Sequence, residues 1–72
     1  MEKETNNMIG KAIKQAREEA KITQPELAKK IGVSHASISF WENGVNIPSV
    51  DYCWKLADIF GISIDELVGR KQ

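Results

Sequence analysis

Apolar residues along this chain recur at helical spacing, and the runs are broken by Gly, Pro or a Ser/Thr/Asn cap. Ile9, Ile13 and Ala16, with Ala20 one turn on, form a stripe that predicts a first helix over about 7–20. Asn6 or Asn7 would cap it, and residues 1–6 are expected to fray. Thr23 and Glu26 make a capping box, and Pro25 stands in a first turn where its missing N–H does no harm. Leu27, Ala28 and Ile31 then share one face of a second helix over about 24–31, which Gly32 ends. Ser34 caps a third over about 35–42, with Ile38 and Trp41 inward and Asn43-Gly44 as its stop.

Beyond Gly44, VNIPS is a loop. Pro48 disfavours helix at Ile47, and Ser49 caps a fourth helix, predicted over about 49–60. Val50, Cys53, Leu56, Ala57 and Phe60 would face inward, with Gly61 ending the helix and Ile62 closing over it. Ser63 and Glu66 form another capping box. It opens a short fifth helix over about 64–68 with Ile64, Leu67 and Val68, and residues 69–72 are left as a tail. No strand alternation, repeat or low-complexity tract interrupts this order. The expected fold is all-α, five helices in one domain over 1–72. Helices two and three, joined by a short glycine-containing turn, describe a helix-turn-helix.

Composition narrows the function. Seventy-two residues give one small core, and one cysteine excludes an internal disulfide. His35 with Cys53 is too little for a metal site, so neither metal nor cofactor is expected. No Ser/His/acid order, carboxylate pair or phosphate-binding glycine loop has catalytic spacing, which argues against an enzyme and a small-molecule substrate. MEKETNN does not resemble a signal peptide, and no apolar run reaches the roughly 20 residues of a membrane span, so the compartment is read as cytoplasmic. Net charge is zero, which counts against a strong nucleic-acid binder, whose electrostatic footprint is usually basic. Its distribution is uneven: residues 8–30 hold six basic against three acidic side chains, and residues 31–66 one against five.

The segments IGKAIKQAR, ITQPELAKKIGVSHASISFWENG and IPSVDYCWKLADIFGISIDELV together resemble the lambda-repressor-like, or Xre-type, helix-turn-helix family of phage and bacterial regulators. The resemblance covers about Ile9 to Val68. It implies a sequence-specific DNA-binding regulator, a repressor acting as a homodimer on operator half-sites of double-stranded DNA. It also implies a phosphate contact from Gln24 and base reading by His35, Ala36, Ser39 and Phe40. Ser37 and Asn43 fall where the family approaches the DNA backbone, and Arg17 where it pairs with Glu42. Ser34 and Ser49 cap helices whose N-terminal amides can face phosphates. The chain departs from the family at Phe40, where a basic or amide residue is common, and at Val45-Asn46-Ile47, where basic residues are common.

Each assignment has a plainer alternative. Gln24 could be a solvent-facing helix residue, and His35 a first-turn surface residue. Phe40 could touch a thymine methyl, fold over the core edge or meet another protein. Trp41 and Cys53 read as core, and Trp54 as a core-rim residue or part of a dimer contact with Ile64 and Val68. The rival function is a protein-interaction module of the same fold, such as an antitoxin or scaffold. Phe40, the unbasic loop and the zero net charge favour it.

Overall fold

A computed structural model of the chain describes residues 2–68, with side chains from Met8 onward. Five helices follow one another: α1 (Glu2–Glu19), α2 (Gln24–Ile31), α3 (His35–Glu42), α4 (Val50–Phe60) and α5 (Ile64–Val68). No strand occurs among the described residues. The expected tail at 69–72 lies outside them.

Local signals set most of the boundaries. Thr23 Oγ1 accepts from the Glu26 amide at 3.2 Å and the Glu26 carboxylate accepts from the Thr23 amide at 2.7 Å. Ser63 and Glu66 repeat the box at the head of α5, with both bonds at 3.0 Å. Ser34 and Ser49 accept from Ser37 and Tyr52 amides at the heads of α3 and α4. Gly32 (φ 91°) and Gly61 (φ 66°) end α2 and α4 in the left-handed region, which a side chain would disfavour.

The first helix departs from expectation at both ends. It begins at Glu2 rather than near residue 7, so residues 2–6 are helical and Asn6 and Asn7 lie inside the helix instead of capping it. Glu2, Lys3 and Glu4 are good helix formers, and acidic residues near a helix N-terminus complement its dipole. At the other end α1 stops at Glu19 and Lys21 takes φ 60°, which turns the chain and leaves Ala20 exposed rather than on the inner stripe. Ile22 then anchors the connection against the core.

The core is formed by Ile9 and Ile13 of α1, Leu27, Ala28 and Ile31 of α2, Ile38 and Trp41 of α3, Cys53 and Leu56 of α4, and Leu67 of α5. Every helix contributes, as a chain this short requires. The first helix packs on α3 and α5, and the second on α3. Trp41 stacks obliquely on Tyr52, ring centres 5.4 Å apart, and the Lys55 ammonium lies over the same tyrosine. Burial raises the Cys53 thiol above its usual range.

Two α4 expectations are corrected. Val50 has the right phase for the inner stripe yet is 71 % exposed at the first residue of α4, while Cys53 on the same stripe is buried. Trp54 is not a rim residue but 64 % exposed.

Candidate nucleic-acid interface

The α2–turn–α3 unit is held from within. Leu27, Ala28 and Ile31 bury one face of α2, and Ile38 and Trp41 one face of α3. Between them the Gly32 and Val33 amides both donate to the Ala28 carbonyl, at 2.8 and 3.0 Å. This closes the turn and fixes how α3 projects from α2. The heads of the two helices lie together, with Gln24 opening α2 and His35 opening α3 in side-chain contact.

A chain of polar contacts ties this unit to α1. Arg17 donates to Glu42 through Nε at 2.6 Å and Nη2 at 3.2 Å, a two-pronged pair. Its Nη1 donates to the Ile22 carbonyl at 3.0 Å, fastening the α1–α2 connection. The Glu42 side chain is only 3 % exposed, and its hydrogen bonds raise the Arg17 guanidinium's affinity for its proton. Glu42 also accepts from Gln24 Nε2 at 2.9 Å, and Gln24 Oε1 lies 2.8 Å from His35 Nε2. Four side chains from three helices thus run from the interior to the tip of α3.

The residues singled out from sequence fall into pairs. Arg17 meets Glu42, and Gln24 meets His35. Ser34 and Ser37 hydroxyls lie 3.1 Å apart, and Asn43 Nδ2 donates to Ser39 Oγ at 3.2 Å. Ala36 is exposed, and Phe40 is 46 % exposed rather than folded over the core edge. Ser49 stands apart on the head of α4, its hydroxyl engaged by the Tyr52 amide. The third helix carries no basic residue, and its one acid is the buried Glu42. Its outer face, with His35, Ala36, Ser39 and Phe40, therefore mixes polar and apolar groups and holds no Lys, Arg, Asp or Glu. Lys29 and Lys30, exposed in the last turn of α2, are the nearest cations in sequence.

Two features were not visible from residue spacing. Gln24 does not simply face solvent but is spoken for on both amide atoms. Gly10 is buried where α1 crosses α3, and a Cβ there would collide with the Trp41 carbonyl oxygen and lie 2.8 Å from that of Glu42. An unbroken helix with a glycine in its interior was the available signal.

Among the described residues no helix is long and apolar enough to cross a membrane, and no cluster of three His, Cys, Asp or Glu could hold a metal ion. The family model described as helix-turn-helix matches residues 13–67. The HTH-type transcriptional regulator ImmR of Bacillus subtilis is 33 % identical over 64 residues, covering 89 % of this chain and 50 % of ImmR. The cryptic phage CTXphi transcriptional repressor RstR of Vibrio cholerae is 44 % identical over 48 residues, covering 67 % of this chain and 43 % of RstR. The chain thus spans about half the length of these relatives. Among solved structures, the P22 c2 repressor in complex with a synthetic operator superposes with a TM-score of 0.82 at 31 % identity, over 89 % of this chain and 97 % of that one.

Proposed function

This chain belongs to the lambda-repressor-like helix-turn-helix family, and from that premise we infer that it is the DNA-binding domain of a transcriptional regulator, a repressor in its simplest form. The observation that carries the reading is the congruence of nearly the whole chain with a repressor whose structure was determined on its operator. On this reading α3 enters the major groove, and the α2 N-terminus with Gln24 faces a phosphate.

The uncharged face of α3 fits a reader of base edges. It fits a non-specific polycation binder poorly. His35, Ala36, Ser39 and Phe40 lie along this face, with Ser34, Ser37 and Asn43 flanking it near phosphates, and Ser49, apart on the head of α4, caps a helix whose amides face a further phosphate. One such helix reads only a few base pairs, so a second copy on a related half-site one helical turn away supplies the rest of the specificity. Ile64 and Val68 are half-buried against the core. The exposed Trp54, with Val50 one turn before it, is thus the more available apolar surface for that second copy.

Binding to DNA flanking the chain's own gene and to random DNA, followed by anisotropy over a salt series, tests this. A sequence preference that survives at moderate salt supports the regulator. Equal, salt-labile binding to every sequence, or none, would replace it with the protein-interaction reading that exposed Phe40 favours. Sedimentation with and without operator decides the dimer.

A further inference from the structure

We propose that His35 reads its base as a hydrogen-bond acceptor, through Nδ1, and so selects a base that offers an exocyclic amine in the major groove: adenine N6 or cytosine N4. The proposal deepens, and rests on, the DNA-binding reading.

The argument runs outward from the interior. Arg17 has only donors. Both Glu42 oxygens accept from it, so the Gln24 atom 2.9 Å away must be the amide nitrogen. That fixes the orientation of the Gln24 carboxamide. The Gln24 oxygen is then the atom facing His35, and an amide oxygen can only accept. His35 Nε2, at 2.8 Å, must therefore carry the hydrogen. A neutral imidazole has one N–H, so Nδ1 is left with a bare lone pair. No protein group among the described residues donates to it. The donor at the buried end of the relay has set the tautomer at its exposed end.

Base edges differ in what they return to a lone acceptor. Adenine and cytosine present amines in the major groove, whereas guanine presents N7 and O6 and thymine O4, all acceptors. A bare Nδ1 placed against guanine or thymine sets lone pair against lone pair. Its neighbour Ala36 has no polar atom to compensate. Gln24 keeps one amide hydrogen beyond the one given to Glu42, so a phosphate contact remains open to it without breaking the relay.

The test reads single atoms, because every base pair has an amine on one strand. Comparing sites selected by the wild type and by His35→Ala locates the pair that His35 reads. At that pair, adenine is replaced by purine, or cytosine by its 4-deamino analogue, removing only the amine. A parallel duplex carries the 7-deaza base in place of the purine of that pair. All binding is measured at mildly alkaline pH, where imidazole is neutral. Amine removal should weaken the wild type about tenfold beyond its effect on His35→Ala. The 7-deaza base should weaken both alike. Coupling of His35 to N7 instead of the amine, or no coupling to either, overturns the assignment while leaving the regulator intact. If the wild type selects no sequence, the regulator and this assignment fall together. Nitrogen-15 spectra of the imidazole in the free protein give an independent check: hydrogen on Nε2 is required, and a ring protonated on Nδ1 alone refutes the relay.

Discussion

Gly10 of α1 and Trp41 of α3 are in backbone contact, with no room for a methyl group between the glycine and the tryptophan's carbonyl oxygen. The close approach brings α1 against the end of α3, where Glu42 receives Arg17. Alanine at residue 10 would gain about 1 kcal/mol of helix propensity. Overpacking against backbone, which cannot swing aside, costs about 1–3 kcal/mol. Gly10→Ala should therefore lower the urea midpoint, and a midpoint unchanged or raised would mean that the two helices separate at no cost.

Arg17→Ala leaves a carboxylate that is almost wholly enclosed with only Gln24 to hydrogen-bond it. Removing one partner of a fully buried pair costs about 3–5 kcal/mol, and the remaining Gln24 bond and the partial exposure of Arg17 reduce that to about 2 kcal/mol. Thermal melts should show the loss. The double variant Arg17→Ala, Glu42→Ala should melt above the single one, since it no longer strands a charge.

Gln24→Ala should weaken binding to operator and random DNA by similar factors through the lost phosphate contact, and should in addition relax preference at the one base pair His35 reads, because it frees the imidazole that Gln24 holds. Gln24 is neutral, so the slope of affinity against salt should barely move. Replacing Lys29 or Lys30 by Gln, if that residue touches phosphate, should reduce the slope by about one unit. Anisotropy titrations over the same salt series measure both. A Gln24 variant that loses affinity for operator alone would contradict the phosphate role.

The Glu26 carboxyl is held below its ordinary range by the Thr23 amide, then by the Thr23 hydroxyl, with Lys30 nearby. A carboxyl lowered on folding stabilises the protein above its unfolded value, and the gain disappears as pH falls through the folded one. The melting temperature of the wild type should thus exceed that of Glu26→Gln near neutral pH. The gap should close below the usual carboxylate range. A gap that is constant across the acid range would show that charge plays no part in this cap.

Most of the fold was legible because its punctuation is local. A capping box at Thr23 and Glu26 needs four residues to be recognised, and Gly32 or Gly61 ends a helix whatever lies elsewhere. Val50 escaped because periodicity gives the phase of a side chain but not where the core stops. Glu2–Asn6 escaped because propensity without an apolar stripe gives no visible helix face. The pairing of Arg17 with Glu42 came from family likeness. That Gln24 and His35 would join it depends on the angle between α2 and α3, which no local window contains.

Leu67 is fully enclosed, and α5, which carries it, packs against α1. The helix α1 therefore has one of its main partners in α5, the far end of the described residues. Without α5, Ile9 and Ile13 lack the side of the core that it provides, and a leucine-sized void of this kind costs about 2–5 kcal/mol. For so small a domain that is a large part of the total stability. A chain carrying α1 to α4 without α5 is therefore expected to be far less stable than the five-helix domain, which urea unfolding of a truncation ending before Ile64 would measure.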